Sequence, residues 1–280
     1  MKVMRLASPV LALVLAGCQT YGVFPIDDPL PRPQVLTSVS LDGAVALTWS
    51  DEPYRADPVR FRDYRVYSAS YDIDTDRCGT TWSLEGTTVA PEFVVGALSN
   101  GRSRCFAVTA EDIDGYESER SPVRFDTPRF QANGAALTAR QVDATQSSFR
   151  FWRDIDGDGR AVRTELGRVG NAATPDADFV IDRDVTGKLF LLPVRAGTRI
   201  AIWGNAPVTS ITDIDLAPAS GYTAGAIEAL PGWGYAFEMQ GPDGYKRFGA
   251  VRVVALGQGI VILDWAYQSD PGNPELLRAD

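Results

Sequence analysis

The sequence predicts an all-β chain of two domains in series, on three observations. Short runs of alternating apolar and polar residues recur along the chain, as they do where a strand buries one face. Turn residues such as Asn-Gly, Asp-Gly and isolated prolines separate these runs, and no segment holds a helical period beyond a short turn expected around 224–229. At 280 residues the chain is too long for one small sandwich and suits two hydrophobic cores.

Composition narrows the chemistry. The formal charge is −9, and two of the basic residues, Lys2 and Arg5, stand at the very start, so the rest is more acidic still. Such a chain is repelled by phosphate backbones, which argues against nucleic-acid binding, and it attracts cations. There is no histidine, which removes the commonest general base, the commonest zinc ligand and every Ser-His or Cys-His nucleophile. Lysine beyond Lys2 is confined to Lys188 and Lys246, leaving little for a Ser-Lys or Schiff-base mechanism. Any catalysis would rest on carboxylates, and the expectation is a protein that is not an enzyme.

The elements follow in chain order. Lys2 and Arg5 precede an apolar run, Leu6 to Ala16, too short to span a bilayer but suited to a secretory leader over residues 1–17. The run ends in Leu15-Ala16-Gly17-Cys18, which resembles the lipobox of bacterial lipoproteins; a buried helix ending in Ala-Gly-Cys is the alternative. The resemblance implies lipid attachment at Cys18, hence a membrane partner through an N-terminal anchor. Gln19 in place of aspartate implies sorting to the outer membrane. Residues 18–34, with Pro25, Pro29, Pro31 and Pro33, read as an extended tether. In an oxidising compartment Cys78 and Cys105 remain as one even pair. A disulfide between them is worth about 3 kcal/mol in the chain-entropy model; two separately buried thiols are the alternative.

Residues 35–127 form the first β domain. Val45, Leu47 and Trp49 alternate with small or polar residues, as do Tyr64-Arg65-Val66-Tyr67, Phe93-Val94-Val95 and Phe106-Ala107-Val108, with turns at Asn100-Gly101 and Asp114-Gly115. This stretch, about a third of the chain, resembles a fibronectin type III domain. Trp49 matches the core tryptophan, Tyr64 and Tyr67 the strand with its inward tyrosine, Leu98 the leucine before the penultimate strand, and Gly115, Ser118 and Ser121 the Gly-x-x-Ser-x-x-Ser run. The resemblance implies a seven-stranded sandwich. One departure is Arg104, where the family has its corner tyrosine; a bond from Cys105 to the segment around Cys78 would supply the lost constraint.

Residues 128–280 form the second domain, expected as a β-rich sandwich or barrel-like fold. Its strands are Phe149 to Trp152, Asp178 to Ile181, Leu189 to Val194 and Arg199 to Trp203, then a hairpin of Ala250 to Val254 and Ile260 to Trp265 around Gly257-Gln258-Gly259. A looser resemblance links about forty residues, Tyr235-Ala236-Phe237 through Leu263-Asp264-Trp265-Ala266-Tyr267-Gln268, to HmuY-like haem-binding lipoproteins. With no histidine the family's axial ligation does not carry over, and only Met239 or a tyrosine could substitute.

One segment points to a metal. From Asp154 to Glu165, carboxylates fall at positions 1, 3, 5 and 12 of a twelve-residue loop (Asp154, Asp156, Asp158, Glu165), with Gly159 at position 6. This spacing resembles an EF-hand-type calcium loop, because Ca²⁺ takes six or seven oxygens at about 2.4 Å. Three aspartates would wrap one side, the Arg160 carbonyl would add a ligand, and Glu165 would close bidentately. The preceding residues read as a strand, Gly167 breaks any following helix, and Arg160 and Arg163 partly cancel the acids. A structural Ca²⁺ site with Kd on the order of 10⁻⁴ to 10⁻³ M is expected; an acidic surface turn is the alternative. Asp182-Arg183-Asp184 reads better as a hairpin turn, and Asp213 and Asp215 would share a strand face. Trp203, Trp233, Tyr235 and Trp265 read as core before they read as a ligand-binding face. The functional expectation is a lipid-anchored envelope protein that binds or supports a protein, glycan or small-molecule partner. Its rivals are a small-ligand (haem-like) capture lipoprotein and a carboxylate-based glycosidase.

Overall fold

A computed structural model describes residues 29–72, 75–241 and 243–276. The leader, Cys18 and most of the proline-rich tether lie outside the described residues. The first unit runs through β1 (Thr37–Leu41), β2 (Ala44–Thr48), a short helix α1 (Glu52–Ala56), β3 (Phe61–Asp72), β4 (Arg77–Cys78), β5 (Ser83–Thr88), β6 (Glu92–Val95), β7 (Arg104–Asp112) and β8 (Arg124–Asp126). The helix has no apolar periodicity to announce it; Pro53 sits in its first turn and Arg55 pairs with Asp51 at 2.9 Å.

Two sheets face each other. One has the order β1-β2-β6; the other is β4-β3-β7-β8, with β5 also on β3. Because β4 and β5 lie end to end along one edge of β3, the pair counts as one interrupted strand and the whole is a seven-stranded fibronectin type III-like sandwich. The alternating residues point inward as their spacing requires. Val45 and Leu47, Tyr64 and Val66, and Phe106, Val108 and Ala110 form the core, with Trp49 edge-on to Tyr64 at 5.4 Å between ring centres. Leu30, inside the proline-rich segment, is also buried in this core.

The disulfide between Cys78 and Cys105 joins β4 to β7, with 5.9 Å between their Cα atoms, so the two cysteines are not separate thiols. Arg104, beside it, donates to Ser68 Oγ and lies 3.5 Å from Glu85, linking β3 and β5 where the corner tyrosine is missing.

The second unit comprises β9 (Phe130–Thr138), β10 (Ser148–Trp152), β11 (Leu166–Gly170), β12 (Phe179–Arg183), β13 (Leu189–Pro193), β14 (Arg199–Trp203), β15 (Ile227–Glu228), β16 (Gly234–Gln240), β17 (Lys246–Leu256) and β18 (Ile260–Gln268). It is a sandwich, not a barrel: two five-stranded antiparallel sheets, β11-β10-β12-β13-β15 and β14-β16-β17-β18-β9. Between them Phe149, Phe151, Phe179, Phe237 and Tyr267 form one aromatic core, with Phe179 stacked on Phe237 at 4.7 Å. Tyr235 and Trp265 belong to this core and Trp233 packs at its margin, while Trp203 packs against a separate cluster that includes Ile211, Ile214 and Phe248. Gly249 on β17 is needed for close approach, since a Cβ there would lie 2.7 Å from the Phe151 ring.

Where a helical turn was expected around 224–229, the chain instead forms β15, paired to β13. Neighbouring Phe190 and Leu191 supply backbone partners that local sequence cannot reveal. Asp213 and Asp215 do not share a strand face either. Asp213 closes a 3-10 turn, Ile211–Asp213, by accepting the Thr209 and Ser210 N–H groups at 2.7 and 2.9 Å.

Candidate metal centre

The loop after β10 is shaped by its own carboxylates. Asp154 accepts the Gly157 N–H on one oxygen at 2.6 Å and the Gly159 N–H on the other at 2.9 Å. Asp156 accepts from the Asp158 N–H at 3.2 Å, and Asp158 from the Arg160 N–H at 2.7 Å. Gly157 and Gly159 take φ values of +78° and +73°, the left-handed region that glycine enters without steric cost. The three aspartates are thereby turned to one side, and an oxygen from each lies within 4.8 Å of the others. Hard carboxylate oxygens gathered this way suit Ca²⁺ better than a softer metal.

Glu165 is placed differently. It is buried at the base of the loop and stands outside the three-aspartate group. One oxygen accepts the Ile155 N–H at 2.7 Å and the other the Trp152 indole N–H at 3.2 Å. Its carboxylate thus ties the loop's entry to its exit from beneath, just before Gly167, whose φ of +61° seats the backbone against the Trp265 ring. Arg160 is exposed, and its N–H serves the loop through Asp158. Arg163 turns away from the acids to pair with Asp42 at the β1–β2 turn of the first sandwich. It therefore offsets the loop's charge less than its sequence position implies.

The remaining acidic candidates serve local structure. Asp184 accepts the Thr186 and Lys188 N–H groups, both at 2.9 Å, in the β12–β13 turn, and Asp182 pairs with Arg140 at 2.9 Å. A second arrangement escaped sequence reasoning altogether. Trp152, Arg153, Arg195, Met239, Arg247 and Tyr267, drawn from segments far apart in the chain, line one cleft beside the loop. Arg247, whose side chain is only 6% exposed, is the one residue among them whose type and burial conflict, and a charged residue amid the inward pattern of β17 was the only available signal.

Comparison with known proteins adds little beyond the fold. No family model matches the chain, and no curated protein does. Among solved structures, a Fn3-like protein from Clostridium thermocellum is 19% identical with a TM-score of 0.27, covering 34% of this chain and 91% of its own. The FN5 domain of Drosophila Lar is 16% identical with a TM-score of 0.27, covering 35% and 95%. The central fibronectin-III array of RIM-binding protein is 12% identical with a TM-score of 0.27, covering 81% and 70%. Matches this distant say nothing about function, and the first sandwich is recognised by its own strand order.

Proposed function

We propose that this chain is a non-catalytic, lipid-anchored protein of the cell envelope that binds or supports a partner, with a structural Ca²⁺ held by Asp154, Asp156 and Asp158. The observation that carries the calcium reading is the convergence of three carboxylate oxygens within 4.8 Å on a loop already folded by its own backbone N–H groups. The Arg160 carbonyl and water would complete the shell. Glu165 would hold the loop's base, or swing to ligate at the cost of its three present hydrogen bonds. Because Arg163 of the same segment reaches Asp42, an ion that stiffens the loop would also stiffen the contact between the sandwiches.

The anchor rests on the Leu15-Ala16-Gly17-Cys18 sequence alone. The haem-like alternative draws no support from the aromatic core, which is filled by Phe149, Phe151, Phe179 and Phe237 packed on one another.

The test is calorimetric titration of Ca²⁺ into the chelator-stripped full chain in detergent. One ion bound at submillimolar to millimolar Kd, lost in Asp154→Ala and accompanied by a higher melting temperature, is the expected result. Absence of heat and of stabilisation at several millimolar Ca²⁺ reduces the segment to an acidic turn. Mass spectrometry of the membrane-extracted protein tests the anchor, since acylation at Cys18 must vanish in Cys18→Ser.

A further inference from the structure

At one end of the second sandwich the two sheets part. The residues following β10 and β13 stand on one side, and the β16–β17 turn stands on the other. The cleft between them has a volume of about 460 Å³, within the range small-molecule sites occupy. Its floor consists of buried side chains, Trp152, Met239, Arg247 and Tyr267, and Arg153 and Arg195 stand at its rim. Arg247 lies over the Trp152 ring at 5.8 Å.

The hydrogen-bonding capacity left over in this cleft is mostly donor. Guanidinium groups only donate; Arg153 is held by Asp176 at 2.7 Å and Arg195 by Asp178 at 2.9 Å, each through one terminal nitrogen, whereas Arg247 gives both terminal nitrogens to Asp243, at 2.7 and 3.3 Å. Asp176 is shared with Arg150, so two cations meet one acid there. Tyr267 lines the cleft with 1% of its surface exposed, and none of the hydrogen bonds among the described residues engages its hydroxyl. The hydroxyl is a further donor that an acceptor on a ligand in the cleft can engage. The carboxylate at the edge, Asp154, already accepts from Gly157 and Gly159.

We propose that this cleft binds a carboxylate carried on a small apolar body, the body resting on Trp152, Met239 and Tyr267 and the carboxylate taken up by the Tyr267 hydroxyl and the guanidiniums of Arg153 and Arg195. The donors belong to the sandwich and not to the acidic loop, so the site stands without calcium.

Two probes separate the possible sources, a free small acid and the end of a peptide. Benzoate and N-acetylphenylalanine are each titrated against their amides into the full chain in detergent, in Ca²⁺ and in chelator, with ligand-observed NMR as the readout. At least one acid is expected to bind at millimolar Kd or tighter and about tenfold better than its amide, and the tighter acid identifies the source. Tyr267→Phe and Arg153→Gln should each weaken binding threefold or more with the melting temperature unchanged. Equal binding of acid and amide, or acid binding untouched by both substitutions, overturns the proposal. Binding that persists in chelator supports it even if the calcium reading fails.

Discussion

Two buried carboxylates on either side of β10 illustrate how one residue type serves opposite ends. Glu165 is spent on three donors, the Ile155 and Val162 N–H groups and the Trp152 indole, and Glu165→Ala would leave all three unpaired. The expected loss is about 2 kcal/mol in urea unfolding measured in chelator, with Glu165→Gln losing less because one acceptor survives. Asp178 is fully buried, and although Arg195 lies 2.9 Å away, desolvation dominates and pushes its carboxyl up from 3.8 to about 6. The folded state therefore holds a proton that the unfolded state releases between those values. Stability from this group is complete below about pH 4 and declines as pH rises through 6, by up to about 3 kcal/mol. Asp178→Asn keeps the acceptor for the Phe151 N–H, and melting temperatures from pH 4 to 7 should show that decline flattened.

At the scale of elements, β7 shows how an edge is finished without a full strand. β8 pairs only with the first residues of β7, from Arg104 to Phe106. Further along, Ser118 and Ser121 accept the Ala110 and Val108 N–H groups on their hydroxyls, both at 3.0 Å, and return their own N–H groups to the same residues' carbonyls at 2.8 Å. This is the structural content of the Gly-x-x-Ser-x-x-Ser run. Ser118→Ala or Ser121→Ala leaves a buried N–H unpaired and should cost about 1–2 kcal/mol each in denaturant unfolding, whereas threonine should retain most of it. Strands with strict alternation, such as Val45 to Trp49 and the β17–β18 hairpin, were legible because period two fixes which side chains face the core. The two-residue β15 was not, because so short a strand exists only through β13. Asp213 was misread as a strand residue for the same reason: a carboxylate capping a turn and one on a strand look alike until its N–H partners are known.

At the scale of the whole molecule the sandwiches meet through a short junction, where the Arg129 N–H donates to the Leu41 carbonyl at 3.1 Å and the Gly101 N–H to the Pro128 carbonyl at 2.8 Å. Arg129 itself is fully buried and donates to the carbonyls of Ile211 and Ile214 at 3.0 and 3.1 Å and to that of Leu276. It thereby ties the loop after β14 and the last described residues to the start of the second sandwich. Burial works against its charge, while Asp126 and Asp215 support it. Arg129→Ala strips three carbonyls of their donor and opens a void, so a loss of about 3–5 kcal/mol is expected. It should fall on the second sandwich, with hydrogen exchange accelerating there before it does in β3 and β7.

The sequence by itself determined the all-β class, the faces of the long strands and the acidic loop with its aspartate spacing, because each depends on residues within a dozen positions of one another. It also contained the cysteine pair, but only folding could show that β4 and β7 bring Cys78 and Cys105 together. Tertiary structure alone decided that the second unit is a sandwich, that Glu165 sits beneath the loop, that Arg163 turns to Asp42, and that three arginines and a tyrosine line one cleft. The physical reason is common to all of these. A charged or hydroxyl side chain takes whatever partner the folded chain brings close, and while some partners are local, as Asp243 is to Arg247, others, as Asp42 is to Arg163 and Asp176 to Arg153, stand tens to more than a hundred residues away.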